Sequence, residues 1–332
     1  MGRGLPRPRR GAREAPTRGE AWPTLADVFD NTAVGAGADY VEVYRFDPSP
    51  SRYSFPAWLL ARLMEDACID YGLLRMCRKG RKVLISNHVK RYNGTIDEFV
   101  SREAYWYTFK PFMDSPRPLE ARSAESYTRL HGPVPGSPPT LLINGVVMHR
   151  VSRDWDPWRD AESKVRRLHV RPGHLVLDTC AGLGYTAIAA ARRGARVVTV
   201  EKSRDVLILA EHNPFSSSLY AENVSVLLGD VAAYIRLFKD SLFDRVLHDP
   251  PRYSMAGELY SRDFYAELYR VLKPGGLLLH YTGEPQRSRG RGHGPIVRGV
   301  MERLRAVGFR VRGYDEKTLS VLAVKPGGRH WR

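Results

Sequence analysis

From residue 174 onward, short apolar runs alternate with amphipathic stretches: HLVLD (174–178), RVVTV (196–200), VSVLL (224–228), DRVLH (244–248) and LLLHY (277–281). Runs of this length bounded by turn residues suit buried strands, and the stretches between them carry helical spacing. Strands alternating with helices predict a parallel, doubly wound sheet. Residues 295–307 predict one further helix, which Gly308 stops, and FRVRGY and LSVLAV predict a closing hairpin. The expected fold is therefore a doubly wound, Rossmann-like α/β sheet of about seven strands, the last antiparallel.

The first part of the chain is less regular. DYVEVYRF (39–46) alternates like a strand, residues 56–76 carry the apolar spacing of an amphipathic helix with Pro56 in its first turn, and residues 82–90 predict another strand. Thr95 and Glu98 have the spacing of a capping box, predicting a helix through Phe109. Residues 110–139 hold many prolines and little periodicity, which predicts a linker or extended arm. In LLINGVVMHRV (141–151), Asn144-Gly145 between apolar runs predicts a hairpin. WDPWRDAESKVRRL (155–168) predicts a helix with Asp156 as N-cap and Pro157 at its first position. The organisation expected is a basic tail over 1–22, a small α+β domain over 23–109, the linker over 110–139, and the main domain with its leading hairpin over 140–328. No internal repeat is present.

Composition narrows the class. The chain has 332 residues and is 43% hydrophobic, enough for a full core. No apolar run approaches the roughly 18 residues of a membrane span, and the basic start lacks the apolar stretch of a signal peptide. A cytoplasmic protein is expected. Cys68, Cys77 and Cys180 form no CxxC pair, so no zinc or redox motif is present, and so sparse and odd a set suits a reducing compartment. The net charge of +16, carried mostly by arginine, favours a polyanionic partner such as nucleic acid.

The densest chemistry lies in LDTCAGLGYTAIAAARRGARVVTVEKS (177–203). A strand ends at Asp178, a loop with Gly182 and Gly184 follows, and then a helix begins. Glycine lets backbone approach a ligand where a Cβ would clash. A second strand ends at Glu201, placed to accept from the hydroxyls of a ribose. Ala187 stands where a dinucleotide fingerprint needs its third glycine, so that fingerprint does not fit.

The set resembles the cofactor half of the class I S-adenosylmethionine-dependent methyltransferases, over roughly residues 155–326. The resemblance implies that Asp178, Ala181, Gly182 and Gly184 shape the pocket for the methionine part of S-adenosylmethionine. It further implies that Glu201 holds the ribose and that Asp230, in LLGDV, approaches the adenine amine. LKPGG (272–276) is a further hallmark of the family.

HDPPRY (248–253) closes the fourth strand, at the edge where open α/β sheets bind ligands. It is similar to the family's (D/N)-P-P-(Y/F/W) motif, which implies catalytic positions for Asp249 and the Pro250 carbonyl. Arg252 replaces the aromatic residue and Tyr253 follows it, a departure that turns away from a planar amine. Arg252 could clamp a substrate phosphate or carboxylate, or simply pair with a neighbouring acid.

The layout of LLINGVVMHRV, DPWRDA and GELYSRDFYAELYRVLKPGG also resembles the spermidine and spermine synthases, as in an archaeal-type group related to them. Those enzymes transfer an aminopropyl group from decarboxylated S-adenosylmethionine. Their D-x-x-D-P loop would align its first Asp with Asp249, but the second is absent here, as is their G-G-G-D-G loop. Arg287, Arg289 and Arg291 follow the fifth strand, where they would repel a polyamine and attract RNA. EAYWYTF (103–109) has aromatics among basic residues, a pattern more often core than base-stacking surface. His248, inside a strand, reads as structural, and nothing in the sequence activates Cys180. No metal set and no nucleophile–histidine–acid set is present. The expected function is an S-adenosylmethionine-dependent methyltransferase acting on a polyanion such as RNA. The alternatives are an aminopropyltransferase and a non-catalytic subunit.

Overall fold

The computed structural model describes residues 28–29, 41–283 and 293–327, apart from residues 101, 103, 125, 133 and 153. The basic tail over 1–22 and the arginines at 287, 289 and 291 lie outside these residues.

In chain order, the N-terminal part contains β1 (Glu42–Val43), β2 (Ser54–Pro56), α1 (Ala57–Ala61), β3 (Cys68–Tyr71), β4 (Leu74–Lys79), β5 (Lys82–Ser86), β6 (Arg91–Thr95), α2 (Asp97–Val100) and β7 (Trp106–Thr108). It continues through β8 (Arg117–Pro118), β9 (Glu120–Arg122), β10 (Tyr127–His131), β11 (Thr140–Ile143) and β12 (Val146–Val147).

The helix expected over 56–76 is instead a five-residue helix followed by the β3–β4 hairpin. Gly72 explains the difference. It has φ +61, and a Cβ there would stand 2.4 Å from the Arg52 carbonyl oxygen. That geometry makes a tight turn between Tyr71 and Leu74 and ends any helix. The capping-box contact is present, with Thr95 N donating to Glu98 at 3.0 Å, but its helix stops at Val100. Trp106 and Tyr107 then enter β7 and are buried, so the aromatic run is core. Residues 110–139 are likewise not a plain linker. They supply β8, β9 and β10, and β10 pairs with β11 to make a sheet in the order β12-β11-β10-β9. Prolines there punctuate short strands, which is where sheets tolerate them.

Cys68 and Cys77 are directly opposed across β3 and β4 and are joined by a disulfide. This corrects the expectation that the cysteines stay reduced, and Cys180 alone is a free thiol. The bridge closes a loop with a sequence separation of 9, which the chain-entropy relation values at about 2.5–3 kcal/mol. Cys68→Ser/Cys77→Ser is expected to lose about that much stability, and reductant should lower the melting temperature of the parent but not of the variant. Identical melting curves would show that the bridge does not form.

The second part alternates as expected: α3 (Pro157–Arg167), β13 (Leu175–Asp178), α4 (Tyr185–Ala191), β14 (Arg196–Glu201), α5 (Arg204–Glu211), β15 (Val224–Leu228) and α6 (Val231–Tyr234). It ends with β16 (Phe243–His248), α7 (Arg262–Val271), β17 (Leu272–Tyr281), α8 (Pro295–Ala306), β18 (Arg310–Asp315) and β19 (Ser320–Val324). The sheet order is β1-β15-β14-β13-β16-β17-β19-β18. The five strands β13 to β17 are parallel, and β19 runs antiparallel between β17 and β18. The seven expected strands are thus present, and β1 adds an eighth by pairing antiparallel with β15. One core layer packs Val165, Ile188 and Leu207 on one face, and another packs Phe264, Leu268 and Val300 on the other. With both faces covered, the polar groups that carry chemistry gather where the parallel strands end.

Candidate functional site

β13 delivers Asp178 to that edge, fully buried. Its Oδ2 accepts from Thr199 Oγ1 at 2.9 Å and from Thr186 Oγ1 at 3.0 Å. Its Oδ1 is buried with no hydrogen-bond partner among the described residues. Burial pushes this carboxyl up to about 7, against the two hydroxyl donors. The loop then turns through Gly182 (φ +52) and Gly184 (φ +78), where only glycine sits without strain. Their roles differ. Gly182 donates its N–H to Glu201 Oε2 at 2.8 Å, which ties the loop to the end of β14. A Cβ on Gly184 would strike Leu219 at 2.5 Å, so that glycine serves packing of the loop.

Glu201 also accepts from Ser203 N at 2.9 Å, and burial raises its carboxyl despite these N–H donors. Asp230 caps α6 by accepting from Ala232 N at 2.8 Å and pairs with Lys202 at 2.8 Å. Both acids therefore already have partners, and each keeps lone pairs for a further donor.

The HDPPRY turn is locked in place. His248 Nε2 donates to the Leu259 carbonyl (3.0 Å), so its Nδ1 accepts from Thr179 Oγ1 (2.7 Å). Burial holds this imidazole down at about 3, so His248 is a neutral structural residue, as its strand position predicts. Tyr260 donates its hydroxyl to the Pro251 carbonyl at 2.9 Å. None of the described hydrogen bonds uses the Pro250 carbonyl. Arg252 and Tyr253 are exposed beyond the prolines. Arg252 makes no ion pair among the described residues, and Tyr253 packs edge-on against Tyr260 at 5.4 Å. Burial raises the Cys180 thiol well above its ordinary range, so it is not a nucleophile.

The residue that sequence reasoning missed is Lys164 on α3. Its Nζ lies 2.7 Å from Asp249 Oδ2 and 2.6 Å from Asp160 Oδ2, with its side chain only 4% exposed. It also stands 3.9 Å from the centre of the Tyr281 ring. Burial opposes its charge, yet the attraction of Asp249 and then Asp160 raises the ammonium above its usual range. A signal was available. Pro157, Asp160, Ala161, Lys164, Val165 and Leu168 form one helical stripe, and two of its members are charged. His149, at the foot of the β12 hairpin, is a second missed residue. It exchanges a hydrogen bond with Thr140 Oγ1 at 2.9 Å, and burial lowers it to about 4.

These parts meet in a cavity of about 90 Å³ whose lining includes His149, Asp160, Cys180, Ala181, Asp249 and Pro250. Asp178, Gly182, Gly184, Lys164, Glu201, Asp230, Arg252 and Tyr253 are not in its lining. Of the expected site residues, Ala181, Asp249 and Pro250 line this cavity, and the other described ones lie along the strand ends and turns around it. A cofactor with an amino-acid end would find an unpartnered, buried carboxylate oxygen at Asp178 and, next along the chain, the glycine turn. No group of His, Cys, Asp and Glu among the described residues could hold a metal, and no described helix is long and apolar enough to cross a membrane.

Residues 176–276 match the family model of the methyltransferase domain. An uncharacterised protein of Methanocaldococcus jannaschii is 52% identical over 194 residues, which is 58% of this chain and 66% of that protein, just under two thirds of its length. A 23S rRNA (uracil(1939)-C(5))-methyltransferase of Alcanivorax borkumensis is 36% identical over 87 residues, 26% of this chain and 19% of that one. The crystal structure of spermidine synthase from Thermotoga maritima superposes with a TM-score of 0.50 at 18% identity, covering 63% of this chain and 72% of that one.

Proposed function

We propose that this chain, which has the fold of the class I S-adenosylmethionine-dependent methyltransferases, uses S-adenosylmethionine to methylate RNA. When bound, the cofactor supplies a methyl group activated on a sulfonium. The chain's own residues do the rest by positioning. Asp178 offers its free oxygen to the cofactor's amine, Glu201 takes the ribose, and Asp230 the adenine edge. Asp249 and the Pro250 carbonyl hold the acceptor atom on a turn stiffened by two prolines. Arg252 is available to take an acceptor phosphate.

The observation that carries the choice of acceptor is Lys164, which places a cation between Asp160 and Asp249. A polyamine needs those carboxylates for its own ammonium groups, and here an internal ammonium already holds them. The +16 net charge points the same way. Aminopropyl transfer remains the second reading, favoured by the superposition on spermidine synthase. Calorimetric titration with S-adenosylmethionine and with its decarboxylated form separates the two. We expect the intact cofactor to bind more tightly and label from its methyl group to enter an RNase-sensitive fraction. Preference for the decarboxylated form would overturn the proposal.

A pH dependence follows from Asp178. In the protein alone its raised carboxyl favours the fold at low pH, and that contribution fades as pH rises from about 4 towards about 7. Binding a cationic amine needs the ionised form. Cofactor affinity should therefore rise between about pH 5.5 and 7 and then level off. Asp178→Asn should bind weakly and without that slope. A flat profile in the parent would remove Asp178 from the amine site.

A further inference from the structure

A second concavity lies away from the catalytic turn. Its volume is about 1110 Å³, and its floor is the sheet face of Leu277, Leu322 and Val324. The pairing register places Arg245, Leu277, Val324 and Arg310 in one row across β16, β17, β19 and β18. Arg312, two residues along β18, also lines the trough. The opposite wall is the end of α3 and the turn after it, with Arg167, His169 and Arg171. None of the lining residues is acidic.

Few of these charges are neutralised within the chain. Arg167 pairs with Asp315. Arg245 donates to the carbonyls of Leu168 and Asp244 rather than to a carboxylate, and burial with Arg171 nearby lowers its affinity for protons. Arg171, Arg310 and Arg312 are exposed and make no ion pair among the described residues. Such a collection is costly in the free protein and calls for an external anion. A second copy of this chain would bring a further +16 and be repelled.

We propose that this trough binds the sugar–phosphate backbone of RNA, as an anchoring site separate from the catalytic turn. Arg245 and Asp249 are four residues apart on one extended strand, about 13 Å at about 3.3 Å per residue. A separation of that size is within the reach of a few nucleotides of one strand. α3 links the two places, since Lys164 faces the catalytic turn and Arg167 the trough. One RNA strand can therefore reach both. The inference shares the RNA partner of the proposed function, but it concerns a different surface.

The test is fluorescence anisotropy of the full chain with a labelled single-stranded oligoribonucleotide, titrated at several salt concentrations. Arg171→Gln/Arg310→Gln/Arg312→Gln is compared with the parent, and circular dichroism checks that both fold. Single strands lose about 0.7 in the slope of log K against log salt per phosphate contact, so the triple variant should lose about 2. An unchanged slope overturns the trough while leaving RNA as the acceptor. If the parent binds RNA but transfers no methyl to it, the acceptor reading fails and the trough stands. No RNA binding by the parent sinks both. Displacement of RNA from the parent by polyglutamate more readily than by unlabelled RNA would point to an acidic protein partner instead and also overturn the proposal.

Discussion

Lys164→Met is expected to destabilise the protein by about 3–5 kcal/mol, the range for breaking a buried ion pair on one side. The lysine is sandwiched between Asp160 and Asp249, and both it and Asp160 are almost wholly shielded from water. Removing the cation leaves two carboxylates near each other with no counter-charge. One oxygen of Asp160 is already buried without a partner among the described residues, so nothing local can take over. Methionine keeps most of the stem's volume, so the loss reports charge rather than a cavity. Denaturant unfolding measures it, and the slope with denaturant should stay constant. In the same background, Asp160→Asn should restore part of the loss by neutralising one of the two stranded acids. A change below about 1 kcal/mol in Lys164→Met would mean that water reaches the cluster and screens it.

That cluster also marks the limit of what could be read from the chain. The parallel strands, the glycine turn and both acidic strand ends were legible because each rests on a local pattern. An apolar run needs only its own neighbours to be recognised, and Asp178 and Glu201 each close one. The Asp156 cap with Pro157 likewise gave the start of α3 correctly, with Arg159 N donating to Asp156 at 2.7 Å. Lys164 was not legible because its partner Asp249 is 85 residues away and meets it only after the sheet forms. The N-terminal half failed for a related reason. Residues 68–79 have apolar positions that satisfy helical and strand spacing alike, and the choice is made by Gly72 against the Arg52 backbone, a contact outside any short window. β8 and β9 are too short to announce themselves and exist through pairing, β8 with β7 and β9 with β10, which in turn pairs with β11.

Asp249→Asn is expected to slow methyl transfer to RNA by about 100-fold or more while leaving affinity for S-adenosylmethionine nearly unchanged. The substitution keeps the shape and leaves an amide oxygen that can still accept from Lys164, so the fold should survive. What it removes is one of two acceptor oxygens and the negative charge at the turn. Asp249 is well placed for that charge to matter. Lys164 fixes one oxygen at 2.7 Å, two prolines follow in the backbone, and Tyr260 anchors the second proline's carbonyl. A group held this firmly works by alignment, and a displacement of about 1 Å can cost about 100-fold. Single-turnover transfer of labelled methyl, beside calorimetric binding of the cofactor, separates the alternatives. Equal losses in both would make Asp249 a cofactor-pocket residue. An unchanged rate would remove it from the reaction and leave the Pro250 carbonyl as the acceptor's partner. A fall in rate alone would place Asp249 at the acceptor, with Lys164 as the residue that positions it.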